Sequence, residues 1–182
     1  PMQDPIVIVG MARTPIGGLQ GSLSSLPAAQ LGAAAIAAAV QRAGVAGEDI
    51  DEALMGCVLP AGQGQAPARQ AVLGAGLAQS VPSTTVNKMC GSGMKALMLG
   101  HDLLLSGNSQ VVLAGGMESM SNAPYLLAKA RAGFRLGHGE IKDHMFLDGL
   151  EDAYQKGTLM GVFAEQCAEH YGFTRALQDE FA

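Results

Sequence analysis

The run Asn87-Lys88-Met89-Cys90-Gly91-Ser92-Gly93 sets one thiol among small residues, where a β-branched stretch gives way to an apolar helical one. A cysteine there faces the unpaired N–H groups and the positive end of the following helix. Both stabilise a thiolate and lower a thiol's pKa. An unperturbed thiol is scarcely ionised at neutral pH, so the placement bears directly on nucleophilicity. Gly91 and Gly93 leave room for a substrate to approach, Ser92 is a candidate helix cap, and the Cys90 backbone N–H is a candidate oxyanion donor. The same residue also suits a small buried apolar position, the usual fate of a free cysteine. Local chemistry leaves both readings open. Cys57, inside an apolar strand, and Cys167, mid-helix, read as packing residues.

The other candidates are weaker. His101 lies mid-helix and reads as packed or partly exposed; His138 and His144 are expected to face solvent; no catalytic role is assigned to these or to His170. Glu118 reads as a turn acid in preference to a general base. The stretches "GQGQAPAR" and "GSGMKA" lack the spacing of phosphate-binding loops. Three cysteines, widely spaced and without a CxxC pair, give neither a metal nor a redox motif and fit a reduced, cytoplasmic setting.

These residues must be positioned by elements that the pattern predicts. "IVIVGMA" (6–12) reads as a first strand ending in the turn "RTPIGG". A helix follows through "AAQLGAAAIAAAVQRAG", with Ser25 as N-cap, Pro27 in the first turn and Gly44 as the stop. Apolar strands are predicted within 52–60, 83–90 and 110–116, and a small-residue helix over 66–77. The stretch 91–107 is apolar nearly all round and predicts a helix buried on every side. Strands alternating with helices at this spacing give an α/β fold with a largely parallel sheet. After Gly116 the texture becomes irregular to about residue 162, as in a lid or binding segment. Helices follow over 162–172 and after Thr174, an N-cap candidate.

Composition narrows the class. Hydrophobic residues make up 48% of 182 residues, enough for a core. Gly, at 25 residues, is about twice the ~7% average, so backbones can approach closely. Net charge is −5 with no basic run, which speaks against nucleic acid as a partner. No apolar stretch reaches the ~18 residues of a membrane span, and no signal or transit pattern opens the chain. Pro1 ahead of Met2 reads as a remnant of tag removal. The last helix stops short, so the chain is expected to be the front part of a longer protein.

"VNKMCGSGMKA" (86–96) resembles the nucleophile signature of the thiolases, enzymes that make or cleave β-ketoacyl-CoA. "RTPIGG" (13–18) resembles the turn after their first strand, and "GGMESMSNAPY" (115–125) the segment leaving their core. "LDGLEDAY" (147–154) and "LMGVFAE" (159–165) resemble their CoA-side loop region. The resemblance runs over essentially the whole chain.

It implies a thiolase-like α/β half, a mixed but mostly parallel sheet around a buried helix, with part of an inserted loop domain. Residues 1–116 would be the core carrying the nucleophile, 117–182 an incomplete loop domain, and the C-terminal α/β half would be absent. Cys90 would take an acyl group as a thioester, and a second acetyl-CoA, deprotonated at its α-carbon, would attack it; thiolysis is the reverse. The family's His base and second Cys lie in the half not present, and none of this chain's histidines stands in the family's Gly-His-Pro setting. Many acetyl-CoA-condensing members carry His-Met-Gly where this chain has Leu159-Met160-Gly161. Met160, Leu159 and Leu150 are the acyl-pocket candidates, each with ordinary packing as the alternative.

An acetoacetyl-CoA thiolase is the favoured activity and a broader 3-ketoacyl-CoA thiolase the alternative. Coenzyme A thioesters would be substrates, with no metal or redox cofactor, and the complete protein a dimer or tetramer. Two rivals remain: a related condensing enzyme such as a ketoacyl or hydroxymethylglutaryl-CoA synthase, and a non-catalytic binding or assembly piece.

Overall fold

Short β-branched or apolar runs bounded by turns become strands only where a neighbour completes their hydrogen bonds. Three do so in the computed structural model, which describes residues 5–182. Strand β1 (Glu52–Gly56) lies centrally, with β2 (Ser83–Val86) on one side and β3 (Val112–Gly116) on the other, all parallel. Ala53 pairs with Ser83 and Leu113, and Gly56 with Val86 and Gly116. At the opposite end the Asp51 carboxylate accepts the N–H groups of Gln110 (2.7 Å) and Val111 (3.0 Å), fixing the start of β3 beside β1. These bonds hold its pKa below the ordinary carboxylate value, that from Gln110 contributing most.

Helices cover both faces. α1 (Ala28–Ala43) and α2 (Pro67–Gly74) pack with Ala53, Met55 and Cys57 on one face, around Ile36, Ala71, Val72 and Met117. Contact is close because the facing residues are small: a Cβ on Gly32 would lie 3.2 Å from the Ala71 Cβ and 2.6 Å from the Met117 sulfur. α3 (Ser92–Leu105) covers the other face through Ser92, Ala96 and Gly100. β1 is thus buried on both sides, which explains its unbroken apolar run.

Four expectations need correction. Residues 6–12 form no strand, since among the described residues no neighbouring backbone pairs with them; Arg42 Nη1 donates to the Met11 carbonyl (2.7 Å), and Gly10 lies against the backbone of α1. A cavity of about 800 Å³ is lined by this run together with β3 and parts of α1 and α3. Ser25 does not cap α1; Pro27 occupies the N-cap position with no side-chain bond, although Gly44 ends the helix in the left-handed conformation as expected. α3 is not buried all round: Met94, Leu97, Met98 and Leu105 are at least half exposed, because the described residues cover only one side of it. His144, expected to face solvent, is buried, its Nδ1 lying 2.6 Å from Asp148 Oδ2.

The chain divides into two compact units, one ending at Tyr125 and the other running from Leu126 to Ala182. The second holds α4 (Met160–Tyr171), stopped by left-handed Gly172, and α5 (Arg175–Phe181). The Thr174 hydroxyl caps α5 by accepting the Leu177 N–H (3.3 Å).

Candidate active site

The connection from β1 to β2 runs through α2 on one face, and that from β2 to β3 through α3 on the other. The connections leaving the neighbouring strands β1 and β2 therefore go to opposite faces of the sheet, which puts the switch point between these two strands. In open α/β sheets, ligands bind beyond the carboxyl ends of the strands at such a point. Three segments meet there: Cys57–Leu59 after β1, Asn87–Cys90 after β2, and Met117–Glu118 after β3.

The second carries the exposed thiol of Cys90, one residue before Gly91, the N-cap of α3. The strand-to-helix turn is sharp. Met89 holds φ at +51°, a left-handed conformation that side chains resist. Local bonds hold it. Asn87 Oδ1 accepts the Met89 N–H (3.0 Å), the Ser92 hydroxyl accepts the Lys88 N–H (2.8 Å) and donates to the Met89 carbonyl, and the Ser92 N–H also reaches that carbonyl (2.9 Å). Ser92 therefore laces the turn and does not cap the helix, as its sequence position had suggested.

Glycines also govern how closely the start of α3 approaches the sheet. A Cβ on Gly93 would point at the backbone of Gly115 and Gly116, 3.8–3.9 Å away. A Cβ on Gly56 would collide with Ser92 and Gly93 at 2.6–2.8 Å. Gly56, together with Gly116, whose Cβ would lie 3.3 Å from the Gly93 Cα, thus lets the start of α3 lie directly on the sheet, which fixes the height of Cys90 above it.

Glu118 is embedded in the loop after β1. Its carboxylate accepts the N–H groups of Val58 (2.8 Å) and Leu59 (3.0 Å), and the Cys57 sulfur lies 3.5 Å away. Cys57 is 1% exposed. Burial, followed by the Glu118 charge, pushes its thiol up to about 11, so it stays protonated and donates to the carboxylate. Glu118 is thus a turn acid, as its position in the sequence implies, with partners that lie 59 to 61 residues away.

The remaining candidates lie elsewhere. Leu150 and Leu159 are half-buried in the second unit, where Leu159 forms a bridge with Glu151, the residue after Leu150, and Met160, 41% exposed, opens α4. Cys90 belongs to the first unit. His101, on α3, is exposed beside Asp102 (3.5 Å), His138 is exposed, and His170 meets Tyr171 edge-on. Cys167 is exposed, not packed. Among the described residues no group of His, Cys, Asp and Glu could hold a metal ion, and no helix is long and apolar enough to cross a membrane.

The family model described as "Thiolase, N-terminal domain" matches residues 6–182. The chain is 51% identical over 177 residues to an acetyl-CoA acetyltransferase of Cupriavidus necator, covering 97% of this chain and 45% of that protein. It is 54% identical over 177 residues to a mitochondrial acetyl-CoA acetyltransferase of Xenopus tropicalis, covering 97% and 41%. It is 55% identical over 177 residues to acetyl-CoA acetyltransferase 2 of Arabidopsis thaliana, covering 97% and 44%. The chain spans under half the length of these relatives.

Proposed function

The chain belongs to the thiolase family, and from that premise we propose that it is the nucleophile-bearing part of an acetyl-CoA C-acetyltransferase. The observation that carries this reading is the exposed Cys90 thiol on a strained strand-to-helix turn at the carboxyl edge of the sheet. Such a turn lifts a nucleophile clear of the backbone, and the glycine contacts below prevent it from sinking.

In the reaction, the Cys90 thiolate attacks the thioester carbonyl of acetyl-CoA, CoA leaves as thiolate, and an acetyl-enzyme forms. The carbanion of a second acetyl-CoA attacks the acetyl carbonyl, expelling Cys90 and giving acetoacetyl-CoA. Covalent catalysis divides one difficult step into two, and backbone N–H donors, including that of Cys90, would hold the tetrahedral oxyanion. The proton acceptors come from a second half of the complete protein, as the resemblance implies and as the length of the relatives supports. That half would also cover the apolar face of α3. The 182-residue chain alone would then be inactive. Met160, Leu159 and Leu150 would bound the acyl pocket.

The complete protein is a homo-oligomer in this reading, acts on coenzyme A thioesters and needs no further cofactor. The test is a product assay on the complete protein with acetyl-CoA alone. Release of free CoA with matching acetoacetyl-CoA supports the reading; hydroxymethylglutaryl-CoA, or no condensation product, overturns it. Thiolysis of medium-chain 3-ketoacyl-CoA at rates equal to acetoacetyl-CoA would instead favour the broader-range enzyme, the reading that Leu159 in place of histidine keeps in view.

A further inference from the structure

We propose that Glu118 is a positioning residue for Cys90, acting through the loop Cys57–Leu59 and the side chain of Asn87. This rests on the reading of Cys90 as the nucleophile. Glu118 is half-buried at the end of β3, where Met117 N–H also bonds to the Gly56 carbonyl (2.9 Å). Its two oxygens take the Val58 and Leu59 N–H groups at 2.8 and 3.0 Å, and the Cys57 thiol lies 3.5 Å from one of them. A carboxylate gripped by two amides and a thiol has little freedom to serve as a base. It can instead fix the loop as a charge-assisted clamp.

The clamped loop reaches the nucleophile turn by one side chain. Asn87 Nδ2 donates to the Val58 carbonyl at 3.5 Å, while Asn87 Oδ1 accepts the Met89 N–H at 3.0 Å. Met89 is the left-handed residue directly before Cys90. One amide therefore ties the strained turn to the loop that Glu118 holds. Gln63 braces the same loop from its other side, donating to the Leu59 carbonyl (2.8 Å). If Glu118 lets go, the Val58 carbonyl moves, Asn87 loses its orientation, and Met89 relaxes toward a right-handed conformation, which swings Cys90.

The test measures acetylation of Cys90 from acetyl-CoA by rapid-quench mass spectrometry in the complete protein, as a rate constant per folded site. The variants are Glu118→Gln, Asn87→Ala, Asn87→Asp and the double variant Glu118→Gln/Asn87→Ala. Absence of acetylation in the wild type overturns the nucleophile reading itself, before any variant is compared. With the wild type active, Glu118→Gln lowers the saturating acetylation rate by about 10- to 100-fold, the scale of a misplacement near 1 Å, and leaves the half-saturating acetyl-CoA concentration unchanged. The double variant is no slower than the slower single variant, because both break one connection. Asn87→Asp keeps the acceptor for Met89 but loses the donor to Val58, and it falls with Asn87→Ala. A Glu118→Gln variant that melts earlier yet acetylates at the wild-type rate per folded site overturns the proposal, as do multiplicative effects in the double variant. Should Glu118→Gln fail to fold, the Asn87 pair decides: Asn87→Asp at the wild-type rate overturns it.

Discussion

Gly56→Ala tests how the sheet sets the position of the nucleophile. The added Cβ would lie 2.6 Å from the Ser92 carbonyl carbon, 2.7 Å from Gly93 N and 2.8 Å from Ser92 Cβ. Carbon contacts relax at about 3.5–4.0 Å, so the start of α3 must rise from β1 by roughly 1 Å. Two of the three obstructing atoms are backbone and cannot rotate away. Overpacking of this kind costs about 1–3 kcal/mol. The same displacement carries Ser92, whose hydroxyl holds Lys88 and Met89, and so moves Cys90. A 1 Å misplacement is worth about 100-fold in rate. Gly93→Ala is the internal control. Its Cβ would meet Gly116 at 3.8 Å, an ordinary contact, and within a helix alanine gains up to about 1 kcal/mol over glycine. Guanidinium unfolding and Cys90 acetylation rates, measured on both variants, decide the matter. The reasoning is refuted if Gly56→Ala stays within about 0.5 kcal/mol of the wild type, or if both alanines cost the same.

Other outcomes follow from the same contacts. Burial and the Glu118 charge raise the folded pKa of Cys57 to about 11, above the ordinary 9.0 of a thiol. Its contribution to stability is therefore complete below pH 9 and is lost as pH rises toward 11, by up to about 1.4 kcal/mol per unit; Cys57→Ala should flatten that alkaline slope in pH-dependent unfolding curves. The Asp51 carboxyl has the opposite sign: its folded pKa is depressed, so its contribution is present above the unfolded value and lost as pH falls through the folded one. Asp51→Ala should accordingly destabilise at neutral pH, and the gap from the wild type should close in acid denaturation. Leu97 and Met98, 50% and 53% exposed on α3, should bind an apolar dye in the 182-residue chain. Replacing both with Gln should reduce that fluorescence while lowering the melting temperature of the complete protein, and an unchanged melting temperature would show that nothing covers this face.

Much of the fold is legible because its signals are local. Gly44 and Gly172 end their helices with positive φ, and Thr174 caps α5, as glycine and hydroxyl chemistry dictate. The three parallel strands stand where apolar runs and turns place them. What was not legible depends on partners, some remote in sequence and some a few residues away. Residues 6–12 have a strand's composition, but pairing requires a neighbouring backbone that no local pattern supplies. The composition of α3 records apolar side chains all round, yet burial needs a second surface. Ser25 lost the cap of α1 to the fixed φ of Pro27. His144 read as polar and exposed until its bond to Asp148, four residues on, allowed burial. The neighbours of Cys90 placed it at a strand-to-helix turn but left its role open, and only the resemblance singled it out as a nucleophile. The clamp around Glu118 was not, because it joins segments about 60 residues apart.

Intact mass of the complete protein before and after incubation with acetyl-CoA tests the central claim most directly. The account predicts a gain of one acetyl group per chain that disappears on Cys90→Ala. A folded protein that gains no mass, or a Cys90→Ala variant that gains it still, would contradict the account.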